Sequence, residues 1–297
     1  MRVTNSMLVR NVTNNLYNNL ERMDKLNRQL SSTKRISLPS DDPAAVARSL
    51  SLRAAVADAE QFEANLGDAK AWLVATDSAL MGAEDVLRRA KELAVKGSNP
   101  LSPEDQQAIA FEIDQLIDQM VTIANTNHEG RHIFAGHQTL SKPFSRSGDT
   151  ITFQGDAGAI EYRIGPQQNL IVNLDGSSVF GTDETETNRV FKALIDIKQH
   201  LENGDASQVS KSLGELDAAR DNLLKFHSEV GAKMNRVELA NLHMSELKVN
   251  YKQLQSQNED ADIPGVIMEL KTSELVYRAA LGAGARVIMP TLMDFLR

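Results

Sequence analysis

The chain contains one literal His-Glu-x-x-His sequence, at His128-Glu129-Gly130-Arg131-His132. In zinc proteases the two histidines lie one helical turn apart and bind the metal, while the glutamate activates a bound water. Here Gly130 interrupts the motif and Asn125-Thr126-Asn127 precedes it, so a firm helix is not expected. His137 also falls one residue before Gln138, the position that a third histidine ligand would need. The sequence therefore disfavours zinc catalysis at these histidines.

The other polar residues that could do chemistry have simpler interpretations. Asp41 and Asp42 are adjacent and precede Pro43, a pattern that favours helix capping over acid–base work. Asp260 and Asp262 suggest calcium, but no glycine-spaced acidic loop follows them. The remaining histidines (His200, His227, His243) share no spacing, and the sequence offers neither a glycine-rich phosphate loop nor a Ser–His–Asp arrangement. We therefore expect no catalytic, cofactor-binding or metal-binding residues, and no enzyme.

Composition and charge limit the function classes. Aromatic residues make up 5% of the 297 residues, with one tryptophan, which is typical of a helical bundle. The net charge of −8 argues against a nucleic-acid partner, and the lack of a run of ~20 apolar residues predicts no membrane insertion. The absence of cysteine suits a protein that crosses redox compartments or is exported unfolded. Met1–Ser6 lacks the apolar core of a secretory signal, so we expect export by another route.

Apolar residues recur every seven positions in two long stretches. Neither seam can be buried by one helix alone, so each arm needs partner helices, and the nearest partner is the other arm. Small residues beside the first seam (Ala69, Thr76, Ala83, Ala90) predict close helix packing. The first seam comprises Leu52, Ala59, Leu66, Leu73, Leu80, Leu87 and Ala94, and the second Leu216, Leu223, Val230, Val237, Met244 and Tyr251.

Between the arms the pattern changes to strands. Ile160, Tyr162 and Ile164 alternate with polar residues, and glycine- and aspartate-containing turn signals separate the segments. The predicted fold is mainly α: a long antiparallel helical coiled-coil bundle formed by the N- and C-terminal arms, with a small inserted β-rich domain. The insert is predicted over residues 135–185 and the long-helix bundle over 44–134 and 186–255. The second arm is expected to be helical from near Thr187 to about Gln255, and the helix before the insert to end near residues 127–130.

The two ends of the chain carry weaker amphipathic patterns. Val9, Leu16, Met23 and Leu30 fall seven apart in an asparagine-rich segment, which predicts a helix that is marginal in isolation. Residues 1–35 carry seven basic and two acidic side chains, a pattern that fits a solvated face better than a membrane-surface helix. Residues 1–43 and 256–297 are predicted to be terminal coiled-coil assembly segments with connectors. The last helix is expected to present Ile267, Leu270, Tyr277, Leu281, Ile288, Leu292 and Phe295 on one face.

Several motifs resemble one family in combination. The sequence from Leu30 to Ala44, Leu-Ser-Ser-Thr-Lys-Arg-Ile-Ser-Leu-Pro-Ser-Asp-Asp-Pro-Ala, resembles the N-terminal signature of bacterial flagellins and their relatives. Within that group the chain is most similar to hook–filament junction (hook-associated) proteins of the FlgL type, because residues 130–136, Gly-Arg-His-Ile-Phe-Ala-Gly, are similar to their link into the insert. Residues 153–166 and 179–181 resemble their β domain. The family commonly has glycine at the position of Thr33.

The resemblance implies a structural subunit of the flagellum, exported through the flagellar type III apparatus and located outside the cell. The terminal segments would form an inner tube, disordered in the free monomer, and the insert would face solvent. Implied partners are further copies in a ring or helical layer, the first hook–filament junction protein, flagellin, and a cytosolic export chaperone. The expected assembly residues are Val9, Leu16, Met23, Leu30, Leu281, Ile288, Leu292 and Phe295, and the expected chaperone-binding residues Ile267, Leu270, Tyr277 and Leu281.

Three alternatives remain open from the sequence. A filament-forming flagellin would share the signature and the helical arms. An enzyme would use His128 and His132, and a cytosolic coiled-coil scaffold would use the seams alone.

Overall fold

The computed structural model describes residues 5–99, 102–181 and 190–288. Their helices are α1 (Asn5–Ser32), α2 (Pro43–Gly97), α3 (Pro103–Ala124), α4 (Gly176–Phe180), α5 (Val190–Glu202), α6 (Ala206–Glu259) and α7 (Ile263–Ile288). Their strands are β1 (Asn127–His128), β2 (Arg131–His132), β3 (Phe144–Ser147), β4 (Thr150–Phe153), β5 (Glu161–Gly165) and β6 (Gln168–Ile171). The predicted mainly helical fold with a small β-rich insert is confirmed.

The chain divides into two compact units. The first unit comprises Met1–Asp58 and Leu247–Arg297, and the second comprises Ala59–Glu246. Among the helices described, none is both long enough and apolar enough to cross a bilayer.

The second unit has a core built on the two seven-residue seams. All seam members of α2 from Ala59 to Ala94 are buried, as are those of α6 from Leu216 to Met244. Side-chain contacts show that α2 and α6 are antiparallel, because Lys91 lies 2.5 Å from Asp217 whereas Asp77 lies 3.0 Å from His227. The small side chains beside the α2 seam are also buried, which permits the close helix approach that the sequence predicts.

Helix α3 ends at Ala124, earlier than the predicted end near residues 127–130. The Asn125 side chain explains this end, since its amide donates to the Phe144 carbonyl (2.8 Å) and its oxygen accepts from the Phe144 N–H (3.0 Å). An asparagine that pairs with a strand in both directions ties the helix end to the first residue of β3. The side chain thus offers the backbone a partner outside the helix.

The prediction of one helix from near Thr187 to about Gln255 is wrong. Thr187 lies outside the described residues, and the helical arm is interrupted between the end of α5 at Glu202 and the start of α6 at Ala206. Gly204 has a φ of +71°, its N–H donates to the Leu201 carbonyl (3.1 Å), and the Asp205 N–H donates to the His200 carbonyl (2.9 Å). These bonds form a Schellman cap, which ends α5.

The β-rich insert consists of three two-stranded antiparallel sheets, β1–β2, β3–β4 and β5–β6. Phe134, Phe144, Phe180 and Phe191 pack together with ring centroids 5.1–5.8 Å apart. On the surface Arg146 of β3 pairs with Asp114, and also with Asp118 at 2.6 Å, both on α3. The aromatic core and the ion pairs of Arg146 therefore hold the short strands to the helices of the same unit.

Candidate assembly interface

In the first unit, α1 and α7 form an antiparallel pair. Arg22 on α1 lies 3.6 Å from Glu269 on α7, and Lys34, just after α1, pairs with Asp260, just before α7. At the other end a Cβ added to Gly284 would lie only 2.9 Å from Cγ1 of Val12. The close approach requires a glycine there, because any larger side chain would separate the helices.

The predicted seam of α1 is only partly covered. Val9, Leu16, Met23 and Leu30 are all half-buried, and Leu26 between them is buried. Other apolar side chains of α1 are largely exposed: Met7, Leu8, Tyr17 and Leu20. Pairing with α7 alone therefore leaves apolar surface on α1 without cover in the described chain.

The face of α7 that is buried differs from the predicted one. Leu270 is buried and Tyr277 half-buried, but Ile267 and Leu281 are 43% and 45% exposed. Ser273 and Gly284 are buried, so the contact side is rotated toward small residues that permit close packing. Ile288 is the last described residue of α7, with its side chain outside the description, and Leu292 and Phe295 lie outside the described residues. The assembly and chaperone assignments of these residues stay predictions.

A buried carboxylate, Glu259, lies at the end of α6 in the same unit. Arg53 on α2 binds it through two parallel bonds of 2.9 and 3.0 Å, the Ser49 hydroxyl donates to it, and Lys34 lies 3.5 Å away. The Arg53 hydrogen bonds outweigh the opposing effect of burial and lower the pKa of Glu259 to about 2. This Glu259 cluster (Lys34, Ser49, Arg53, Gln255, Glu259) joins the connector after α1 to α2 and α6.

The connector after α1 pairs with the connector after α6. The Arg35 N–H donates to the Glu259 carbonyl (2.6 Å) and the Ala261 N–H donates to the Thr33 carbonyl (3.0 Å). Thr33 has a φ of +58°, in the left-handed region that favours glycine. A β-branched residue in that region costs roughly 1–3 kcal/mol, so the surrounding bonds hold a strained backbone.

Asp42 caps α2, as the sequence predicts, whereas Asp41 stabilises the turn that precedes it. Asp41 accepts from the N–H groups of Ser37 and Leu38 (3.2 and 3.0 Å), and Asp42 accepts from the Ala45 N–H (3.0 Å) at the start of α2. The bond from Leu38 is the largest cause of the lowered pKa of Asp41. Both carboxylates are thus committed to the backbone turn that leads into α2.

The His-Glu-x-x-His sequence forms a hairpin, and the expectation that it is not a firm helix is confirmed. Glu129 and Gly130 have positive φ (51° and 79°), and His128 pairs with Arg131 while Asn127 pairs with His132. Directly paired residues share a face of a sheet, so the two histidines point to opposite faces. His132 Nδ1 lies 2.7 Å from the Asn125 carbonyl oxygen. Within the described part of the chain, no three His, Cys, Asp or Glu residues form a group that could hold a metal ion.

Sequence reasoning did not find the Glu259 cluster. Arg53 and Ser49 lie four residues apart on α2, which places them on one helix face, but their partner is more than 200 positions away. Nothing local in the sequence indicates such a pairing.

Comparison with known proteins adds to this geometry. Residues 3–139 match the family model of the bacterial flagellin N-terminal helical region. The flagellar hook-associated protein 3 of Escherichia coli K12 is 25% identical, covering 94% of this chain and 96% of that protein. Flagellin FlaB1 of Treponema pallidum is 24% identical, covering 91% and 90% respectively.

A solved structure agrees with these sequence matches. The crystal structure of Bacillus cereus FlgL superposes with a TM-score of 0.60 at 28% identity, covering 69% of this chain and 99% of that one. The sequence matches and the superposed structure thus come from the same group of proteins, the flagellins and hook-associated proteins. The chain is therefore similar to the bacterial flagellins and hook-associated proteins, and its residues 3–139 match the flagellin N-terminal helical region.

Proposed function

We propose that this chain is a structural, non-enzymatic subunit of the bacterial flagellum, forming the junction between the hook-side junction protein and the filament. The observation that carries the proposal is its similarity to hook-associated protein 3 over nearly the full length of both chains. The α1–α7 pair supports an assembly role, since it leaves apolar side chains exposed on both helices.

Assembly would use the incompletely covered helices. Val9, Leu16, Met23 and Leu30 of α1 would join Leu281, Ile288, Leu292 and Phe295 in contacts with neighbouring copies. Burial of exposed apolar surface is the main favourable term in such association. Its partners would be further copies, the first hook–filament junction protein and flagellin, at a location outside the cell.

A cytosolic export chaperone would cover α7 through Ile267, Leu270, Tyr277 and Leu281. Ile267 and Leu281 are exposed and available, whereas Leu270 is buried in the first unit. Chaperone binding at Leu270 would therefore require α7 to leave its present packing. Leu281→Asp is expected to weaken chaperone binding measured by calorimetry, with Thr272→Ala, on the exposed polar surface, as a control. Unchanged affinity of Leu281→Asp would reject that assignment.

The alternative function is a filament-forming flagellin. It is favoured by one observation, the 24% identity with FlaB1 over most of both chains. Deletion of the gene separates the two functions. Hooks without filaments, with flagellin shed into the medium, would support the junction protein. Loss of the filament protein itself would identify a flagellin, and intact filaments would reject both.

A further inference from the structure

One face of the β1–β2 hairpin lines a cavity of ≈ 290 Å³ in the second unit. His128 and Arg131 come from that face, and Glu129 from the turn. Asp68 and Trp72 lie on the opposite wall, one helical turn apart on α2, and Tyr162 comes from β5. We call this site, lined by these six residues and by Ala71, the Trp72 cavity. His132, on the other face of the hairpin, does not line it.

The polar groups of the Trp72 cavity do not bind one another. In the described parts of the chain, the side chains of Asp68, Glu129, Arg131 and Tyr162 make no hydrogen bond or ion pair. The Trp72 indole Nε1 is buried and also has no hydrogen-bond partner, although its ring packs edge-on against His128 at 6.3 Å. Asp68, Glu129 and Arg131 are exposed, so a polar ligand that enters the cavity can reach all three charges.

Some charged groups elsewhere in the second unit are paired. Arg89 binds Glu112 through two nitrogens at 2.6 and 2.8 Å, and Lys198 binds both Asp114 and Asp149. In the Trp72 cavity, by contrast, one guanidinium and two carboxylates line the same cavity without forming an ion pair.

The charges and rings of the cavity define the ligand class. Two carboxylates can accept hydrogen bonds from an ammonium group, and a guanidinium can bind a carboxylate in a bidentate fork. Aromatic rings provide apolar contact and attract an ammonium through their faces. Burial and the nearby Asp68 raise the pKa of Tyr162, so its hydroxyl remains a neutral donor. A neutral sugar would leave all three charges unpaired, and a phosphate would meet two carboxylates.

We propose that the Trp72 cavity binds a free α-amino acid, with the ligand ammonium between Asp68 and Glu129 and the ligand carboxylate on Arg131. The cavity volume suits a ligand of this size, at the lower end of the range for small-molecule sites. The site is independent of the assembly role, because it uses none of the residues assigned to that role.

The single tryptophan of the chain makes the test direct. Trp72 is the only tryptophan, so its fluorescence reports on the cavity alone. The purified full chain is titrated with each standard amino acid up to about 10 mM, with calorimetry for the fluorescent ones. We expect a saturable response to at least one amino acid. Its N-acetyl and amide derivatives, which each lack one charge, should bind at least about tenfold more weakly.

Variants locate the binding. Arg131→Gln and Asp68→Asn should each weaken binding by about tenfold or more, since each removes one charged contact. Lys142→Gln, a loss of an exposed cation outside the cavity, should leave the affinity unchanged. No saturable response to any amino acid would overturn the proposal. So would equal binding of the blocked derivatives, or binding that is insensitive to Arg131→Gln.

Discussion

The two units of this chain bury their heptad seams to different extents. In the second unit the seam residues of α2 and α6 from Ala59 to Ala94 and from Leu216 to Met244 are all buried, and side-chain contacts cross between the two antiparallel helices. In the first unit the seam of α1 is half-buried and Tyr17 remains 67% exposed. The same seven-residue pattern thus produces a complete core in one case and an incomplete one in the other.

The difference follows from what each seam packs against. Leucines on α2 alternate with small residues and face a second long helix, so both sides of the seam are covered. The asparagine-rich α1 packs against α7, which contributes Ser273 and Gly284 at the contact. A core that is complete needs no further chain, whereas a seam that is half-covered gains from one.

The largest expected effect separates the two seams. Leu80→Asp buries an unpaired charge in the complete core and should cost about 4 kcal/mol or more in the free energy of unfolding. Leu16→Asp, at a half-buried position, should cost the isolated chain about 1 kcal/mol or less. Chemical denaturation of the purified monomers, followed by circular dichroism, measures both. Equal losses would remove the distinction between the seams.

The Glu259 cluster should stabilise the first unit through a buried charge. Arg53→Met removes the bidentate partner of Glu259 and should cost roughly 1–3 kcal/mol, a range reduced because Arg53 is itself exposed. The control is Arg88→Met, which breaks an exposed pair with Asp85 and should cost less than about 0.5 kcal/mol. A cost no greater than that of the control would show that Glu259 does not depend on Arg53.

The same cluster predicts a pH dependence. The folded-state pKa of Glu259 is about 2, below its ordinary value of 4.5, so its contribution is fully present above pH 5 and is lost as pH falls from there toward 2. The loss of stability over this window should be smaller in Arg53→Met than in the wild type, because Glu259 then has a more ordinary pKa. Chemical denaturation at about pH 6, 4 and 3, which spans that window, measures the free energy of unfolding of both proteins. Parallel curves for the two proteins would contradict this account.

Two glycines of the second unit should respond with opposite signs. Gly204→Ala places a side chain at a φ of +71° and should destabilise by about 1–2 kcal/mol. Gly214→Ala, within α6 and with no atom near the added Cβ, should stabilise by about 0.5–1 kcal/mol. Thermal unfolding of both variants gives the two signs. Stabilisation by Gly204→Ala would show that the cap between α5 and α6 is not strained by a side chain.

The smallest effect concerns the strained connector of the first unit. Thr33→Gly should stabilise by about 0.5–1 kcal/mol, because it relieves the left-handed backbone at some cost in unfolded-chain entropy. Thr33→Ala keeps the conformation unfavourable and should gain little. Matched denaturation curves of the two variants provide the measurement, and a loss of stability in Thr33→Gly would contradict the strain.

Periodicity was sufficient to predict the core of the second unit, since a seven-residue repeat reports directly which side of a helix is buried. The neighbouring residues Asp42 and Pro43 predicted the cap of α2, because capping depends on local sequence. The cap predicted at Asp41 is instead a pair of bonds to the preceding turn. The periodicity did not predict the break at Gly204, since the apolar pattern resumes in α6 after only three residues. The buried face of α7 was likewise missed, because it is set by the close approach of Val12 to Gly284 in a distant segment.

The central claim is that the half-covered α1 seam is completed by other chains. Its most direct test places Leu16→Asp in a strain that lacks the native gene, with Thr13→Asp at an exposed position as the control. Electron microscopy is combined with blots of the medium for this protein and for flagellin. The account predicts that Leu16→Asp is exported yet gives hooks without filaments, while the control restores filaments. Normal filaments in the Leu16→Asp strain would contradict it.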